Sequence, residues 1–313
     1  MSWSVRSAPI PQIAAGSRLT RGVHGFRWSP DQEHDLVVKS DNLVVLNQLP
    51  GASFPLIYID PPFNTGTSRR RTTLRTTAAR EGDRVGFQGR RFRTVRGRSL
   101  RFDDTFDDYL AFLEPRLVEA HRALTSTGTL YVHLDCREVH YARLLLDSIF
   151  GRECFLNEII WAYDYGARPK RRWPAKHDNI LVYVKDPSNY WFDAEEVERE
   201  PYMAPSLVTA EKAARGKLPT DVWWHTIVSP TGKEKTGYPT QKPEGVLRRI
   251  IRASSRPGDW VLDFFAGSGT TGSVARSLGR RFLLVDDNAE AIDIMRSRLG
   301  DVLVHEAAAS RVI

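Results

Sequence analysis

The sequence predicts a doubly wound α/β fold on a mostly parallel sheet, and three observations carry that expectation. Short apolar runs that end in an acid, such as Leu56 to Asp60 (LIYID), read as buried parallel strands. Segments with apolar residues three and four apart lie between them, as from Asp107 to Leu124, where Leu110, Leu113, Leu117 and Val118 share one helical face. No internal repeat interrupts this alternation. Strands separated by helices build sheets covered on both faces, whose ligands sit beyond the carboxyl ends of the strands.

Taken in order, Asp35 to Lys39 reads as a strand and Asn42 to Leu49 as a short helix that Pro50-Gly51 stops. The strand Leu56 to Asp60 follows, and then the helix from Asp107, with Asp107 or Asp108 at its start. Thr127-Gly128 reads as a turn into the strand Thr129 to Leu134. Glu138 to Phe150 is helical and Gly151 ends it. Phe155 to Tyr163 and Asn179 to Lys185 are two further strands. Between residues 187 and 236 charges, prolines and Trp191, Trp223 and Trp224 replace the regular pattern, as in an inserted recognition region. Pro243 then opens a helix to Ser254, followed by strand Trp260 to Phe264, helix Gly269 to Leu278, strand Arg281 to Val285 and helix Ala289 to Leu299. The chain thus divides into an N-terminal extension (1–34), a first half (35–186), the inserted region (187–236) and a second half (237–313).

Composition narrows the class. With 41% hydrophobic and 27% charged residues in 313, the chain has enough apolar material for a full core, which excludes a disordered or collagen-like protein. Two cysteines, Cys136 and Cys154, cannot build a disulfide framework or a Cys-rich zinc site. No apolar run reaches the ~18 residues of a membrane span, and Met1 to Gly16 lacks the order of a signal peptide. A cytoplasmic protein without membrane contact is expected. The net charge of +7 is concentrated: residues 68–101 hold twelve arginines against Glu81 and Asp83, leaving the rest of the chain mildly acidic. Poor in large apolar side chains, this stretch reads as a mobile loop suited to a polyanion.

Two strand ends carry chemistry. Asp263-Phe264-Phe265-Ala266-Gly267-Ser268-Gly269-Thr270-Thr271 runs from a strand through a Gly-rich turn into a helix, where free amides favour an anionic group. The next strand ends in Asp286-Asp287-Asn288, where an acid can bind the hydroxyls of a ribose. This pair signals a nucleoside cofactor without separating NAD from S-adenosylmethionine. At the other strand end, Asp60-Pro61-Pro62-Phe63 places an acid, a rigid turn with no competing donors and an aromatic ring together. The Asp60 carboxylate and the Pro61 carbonyl can accept the hydrogens of an exocyclic base amine and favour the pyramidal nitrogen needed for attack, while Phe63 stacks on the base.

On these residues the chain resembles the β class of amino-group DNA methyltransferases. Asp60 to Phe63 looks like the family's D-P-P-[FYW] motif and Phe265 to Gly269 like its F-x-G-x-G motif. Ser40-Asp41-Asn42, Asn64-Thr65-Gly66, Lys176-His177-Asp178-Asn179 and Pro239-Thr240-Gln241-Lys242-Pro243 follow in family order over residues 35–300. The resemblance implies a seven-stranded, mostly parallel sheet of the class I methyltransferase type, circularly permuted, with an inserted target-recognition region. It implies S-adenosylmethionine as cofactor, no metal, and a flipped target base at Asp60. Phe265, Gly267 and Gly269 would wrap the methionine part, with Asp263 near its amino group and Phe264, Ala266, Ser268, Thr270 and Thr271 completing the turn. Asp286, flanked by Asp287 and Asn288, would bind the ribose, and Asp41 and Asn42 the adenine. Thr240, Gln241 and Lys242 would face the methionine carboxylate. Asp60 followed by Asn-Thr-Gly favours adenine N6 as the target, with cytosine N4 as the alternative.

Double-stranded DNA is the implied partner. Arg69, Arg70, Arg71, Arg90, Arg91 and Arg93 in the arginine stretch, and Lys170, Arg171, Arg172 and His177 before a later strand, are the candidates for its backbone. Trp223 and Trp224 read first as a small core of the inserted region, and His121, His133 and His140 as packing residues. An RNA or protein methyltransferase and a non-catalytic binding protein are the competing classes. The order of motifs disfavours the former and the intact Asp60, Phe63, Gly267 and Gly269 the latter. A homodimer and an accompanying restriction endonuclease are compatible with the family.

Overall fold

The computed structural model describes residues 26–64, 69–78, 84–85, 91–102, 106, 108–166, 169–229 and 232–306. Thr65, Gly66, Glu81, Asp83, Arg90 and Asp107, singled out above, lie outside them. One sheet organises the rest. Its strands are β1 (Leu36–Lys39), β2 (Phe54–Ile59), β6 (Leu124–Leu134), β7 (Phe155–Ala162), β8 (His177–Val184), β9 (Val222–Trp224), β10 (Trp260–Asp263), β11 (Arg281–Asp286) and β12 (Leu303–Glu306). They lie side by side as β12-β1-β11-β10-β2-β6-β8-β7-β9, parallel except where β8 pairs antiparallel with β6 and β7. The sheet therefore has nine strands, two more than expected. Both extra strands are edges of three or four residues, β9 and β12, too short to leave a period in the sequence.

Helices α1 (Asn42–Leu46), α2 (Tyr109–Ala123) and α3 (Val139–Phe150) cover one face, and α5 (Glu244–Ser254), α6 (Thr270–Ser277) and α7 (Ala289–Leu299) the other. Alternation along each strand feeds both layers: Ile57 and Ile59 of β2 join the first, Leu56 and Tyr58 the second. Asp41 caps α1 by accepting from the amides of Leu43 (2.9 Å) and Val44 (3.3 Å), and Asp108 caps α2 through Ala111 (2.9 Å). Thr127-Gly128 is not a turn. It sits inside β6 where the pairing slips from Phe54 with Leu124 to Leu56 with Thr129, a bulge that lengthens the strand.

The arginine-rich stretch is the largest departure from expectation. Where the sequence reads as a loop without strands, it contains a three-stranded antiparallel sheet of β3 (Arg69–Ala78), β4 (Arg84–Val85) and β5 (Arg91–Phe102), in the order β3-β5-β4. Arg69 pairs with Phe102 and Ala78 with Phe92 at the two ends of the long pair. Thr, Val and Phe recur through these strands, and their preference for extended backbone outweighs the lack of apolar runs. The excursion is pinched at its base, where the Asn64 side chain accepts from the Phe106 amide (3.1 Å) and donates to Glu138 (2.8 Å). Asn64 takes φ of +51° to do so.

The region 187–236 carries a short α4 (Ala210–Arg215) and docks on α5 through Arg249 to Glu200 (2.6 Å) and Arg252 to Glu198 (3.1 Å). It also supplies β9, so it is continuous with the sheet. Of the N-terminal extension, Phe26 and Trp28 are buried, Trp28 stacked on Phe54 at 4.5 Å. Among the described residues no helix is long and apolar enough to cross a membrane.

Candidate active site

The two strand ends singled out above meet because β10 and β2, about two hundred residues apart in sequence, are neighbours in the sheet. Asp263, the last residue of β10, shapes the Gly-rich turn. Its carboxylate accepts from the Phe265 amide (3.0 Å) and the Thr271 hydroxyl (2.6 Å), joining strand end to helix start. Gly267 and Gly269 adopt φ of +51° and +71°, a region open to glycine. A Cβ on Gly267 would stand 3.0 Å from the Tyr238 ring, and one on Gly269 2.7 Å from Met295. Asp286, ending β11, closes the turn from the far side by accepting from the amides of Gly267 (2.8 Å) and Asn288 (2.9 Å).

Between these turns lies a cavity of about 450 Å³, of a size that suits a nucleoside-type ligand. Asp60 to Phe63 form one wall. Asp263 to Ser268, Thr270 and Thr271 form another, and Asp41, Asn42, Thr240, Lys242, Asp286, Asp287 and Asn288 complete it among the expected residues. Two expected residues are not on the wall. Gln241 is turned away, accepting from the Thr236 amide (2.8 Å) and donating to the Glu234 carbonyl (2.6 Å), so it staples its own loop. Gly269 lies behind the turn as the cap of α6.

The residues fit the implied cofactor. Carboxylates at Asp286, Asp287 and Asp41 suit hydroxyl and amino groups, while the aromatic side chains of Phe106, Phe112 and Phe265 give the wall the apolar character a flat base needs. Phe106, Phe112, Arg116, Tyr58 and Tyr238 were not singled out from sequence. Arg116 carries a usable signal, a charge on the apolar face of α2 between Leu113 and Leu117. Its guanidinium donates to Asn42 (2.6 Å) and Asp41 (3.0 Å) and stands 3.9 Å over the Phe112 ring. Asn42 in turn donates to the Phe264 carbonyl (2.7 Å), tying the wall to the turn.

Behind the Asp60 to Phe63 turn runs a buried polar chain. Tyr58 donates to His133 Nδ1 (2.9 Å), His133 Nε2 donates to Asp178 (3.2 Å), and Tyr163 donates to the other Asp178 oxygen (2.9 Å). His133 also stacks on Phe63 at 6.1 Å between ring centroids. It is a packing residue, as expected, but it packs Phe63 of the Asp60 to Phe63 turn. Burial, with the nearby charges of Asp60, Asp263 and Asp178, pushes the Tyr58 hydroxyl well above its usual range. Burial works against the Asp178 carboxylate, yet the hydrogen bond from His133, the Lys242 charge and the Tyr163 hydroxyl hold it below its usual range. Asp178, rather than the neighbouring His177, carries these contacts.

Burial also raises Asp263 to about 7 and Asp286 to about 6, although donated hydrogen bonds oppose the shift in both. Asp263 therefore binds a proton in the folded chain between pH ~4 and ~7 that the unfolded chain has released, so stability falls as pH rises across that window. Asp263→Asn, which keeps an acceptor for Phe265 and stays neutral, should melt higher than the wild type at pH 8. The gain is on the order of 1 kcal/mol or more, and it should vanish near pH 4. Thermal melts of the cofactor-free protein at the two pH values check this; a difference independent of pH would refute it.

The expected DNA-contacting groups emerge at one edge of the sheet. The segment carrying β3, β4 and β5 follows β2 and the turn Asp60 to Asn64 in the chain. Residues 163–166 and 169–176 come between the carboxyl end of β7 and the start of β8, with Lys170, Arg171 and Arg172 exposed and Trp173 95% exposed. His177 begins β8 at the same edge, paired with Ala162. The two tryptophans of β9 divide: Trp223 is buried under Arg249, whereas Trp224 is 73% exposed and pairs with Ala162 at that edge. Arg69, Arg70, Arg71, Arg91 and Arg93 lie on β3 and β5.

The comparisons with known proteins agree with this geometry. The N6/N4 methyltransferase family model, described as DNA methylase, matches residues 54–297. The chain is 33% identical over 284 residues to DNA adenine methyltransferase YhdJ of Escherichia coli (strain K12), covering 88% of this chain and 86% of that protein. It is 29% identical over 265 residues to type II methyltransferase M.HpaI of Haemophilus parainfluenzae, covering 84% and 73%. Among solved structures it is similar to the M1.HpyAVI–SAM complex, with a TM-score of 0.54 at 19% identity over 85% of this chain and 98% of that one. It is also similar to PvuII DNA methyltransferase (cytosine-N4-specific), with a TM-score of 0.58 at 16% identity over 85% and 87%. Identities this low speak for a shared fold, whereas the family match spans most of the sequence. The chain belongs to the N6/N4 family of DNA methylases.

Proposed function

We propose that the protein transfers the methyl group of S-adenosylmethionine to the N6 amino group of adenine in double-stranded DNA. The observation that carries this reading is that one cavity is walled on one side by Asp60, Pro61, Pro62 and Phe63 and on the other by the Asp263 to Thr271 turn. Bound there, the cofactor supplies an electrophilic methyl group. The chain does the rest. The Asp60 carboxylate and the Pro61 carbonyl accept hydrogen bonds from the two amino hydrogens, which returns the nitrogen lone pair from the ring to the reacting nitrogen; once that nitrogen carries the methyl group, one of its protons leaves to solvent. Phe63, backed by His133, offers its face to a base turned out of the duplex. The basic groups at the same sheet edge bind the phosphates on either side. The adenine choice is supported by Asp60 at the head of the motif and by the identity with an adenine methyltransferase. The activity is placed in the cytoplasm, with the cell's DNA.

Incubation with tritiated-methyl cofactor and unmethylated duplex DNA, followed by nucleoside analysis, tests the proposal. Label in N6-methyladenine is expected. Label in N4-methylcytosine would replace adenine by cytosine as the target, and DNA without label would overturn the reading.

A further inference from the structure

We infer that Lys242 is the positioning residue of Asp60, holding the carboxylate by one oxygen and leaving the other for the amino group of the target base. This rests on the reading of the chain as an amino-group methyltransferase. The family resemblance assigns Lys242 to the cofactor carboxylate. The structure places its ammonium group elsewhere. Lys242 is buried, its Nζ donates to Asp60 Oδ2, and the same nitrogen stands 4.9 Å from the centroid of the Phe63 ring. One cation thus touches both functional side chains of the catalytic turn. Its main chain faces the cofactor side, where the Lys242 carbonyl accepts from the Thr270 hydroxyl (3.3 Å).

The second observation concerns the other carboxylate oxygen. Asp60 Oδ1 is buried and has no hydrogen-bond partner among the described residues. A buried carboxylate oxygen without a donor is costly, and such an atom in a native site calls for a missing partner. A substrate amino hydrogen is a donor of the right kind. An aspartate held by nothing would turn about its last bond and present either oxygen in many directions. A charge-assisted bond from a buried lysine removes that freedom before the base arrives. The ammonium group over the ring holds Phe63 in the same frame.

Lys242→Met and Lys242→Arg test the assignment with two separate readouts. Equilibrium dialysis of labelled S-adenosylmethionine measures cofactor affinity, and single-turnover transfer to duplex DNA at saturating cofactor measures the methylation step. The methionine variant should bind the cofactor within about threefold of wild type yet transfer methyl roughly 10²-fold more slowly or worse. The arginine variant, which retains a cationic donor, should recover at least about a tenth of the wild-type rate. Loss confined to cofactor affinity, with the saturated rate intact, would overturn the inference and return Lys242 to the cofactor. If the methionine variant does not fold by thermal melting, Lys242→Gln takes its place with the same two readouts. Wild-type protein in the same assay separates the two layers. No label in DNA sinks the methyltransferase reading and the inference with it, whereas active wild type beside an unimpaired Lys242→Met sinks the inference alone.

Discussion

Asp60→Ala is expected to reduce methyl transfer by about 10³-fold while leaving cofactor affinity within a few-fold of wild type. The residue lies at the carboxyl end of β2, on the wall of the cavity opposite the Gly-rich turn. Removing it leaves one acceptor, the Pro61 carbonyl, for two amino hydrogens. The substitution also strands the Lys242 ammonium group, whose side chain is only 10% exposed. An unpaired buried charge costs about 3 kcal/mol or more, so the single variant should also melt several degrees lower. Asp60→Ala combined with Lys242→Met should regain most of the melting temperature and none of the activity. Single-turnover transfer and thermal melts on the four proteins of this cycle check both statements. Near wild-type turnover in Asp60→Ala would remove Asp60 from the chemistry.

Replacing residues 69–102 with a short Gly-Ser linker is expected to change DNA binding as strongly as Asp60→Ala changes catalysis. The segment to be removed contains twelve arginines and two acids. If about half of them pair with phosphates, the slope of log affinity against log salt should become shallower by about 5. Affinity near physiological salt should drop by ~10²-fold or more. Cofactor affinity should not change, because the excursion is pinched off at its base by Asn64 and Phe106, so a linker can close the gap without moving the Asp60 to Phe63 turn. Binding isotherms at a series of salt concentrations provide the measurement. An unchanged slope would mean that the arginines do not meet DNA.

The seven strands read from the sequence all fall in the sheet; in those buried on both faces, such as β2 and β10, the apolar run is itself the signal, and that pattern is local. The turns at Asp60 to Phe63 and Asp263 to Thr271 were legible for a related reason: prolines and positive-φ glycines leave a mark wherever backbone geometry is special. The edge strands β9 and β12 were not legible, because three or four residues carry no period. The arginine-rich sheet was missed because its strands are held by backbone pairing and β preference with few apolar residues, so hydrophobic patterning is silent there.

The sequence by itself determined which groups the protein owns: a carboxylate with a rigid Pro-Pro turn, a Gly-rich strand end, an acid pair after the next strand and a concentrated positive charge. Only the tertiary structure decided who faces whom. Lys242 lies 182 residues from Asp60 in the chain, yet donates to it. His133, read from the sequence as a packing residue, and Asp178, one member of the Lys176 to Asn179 motif, become the support of Phe63 because β6 and β8 pair beside β2. Gln241, next to Lys242, points away into its own loop. Contacts of this kind depend on the order in which strands assemble in the sheet and on which way each side chain points. A linear pattern of residue types carries neither.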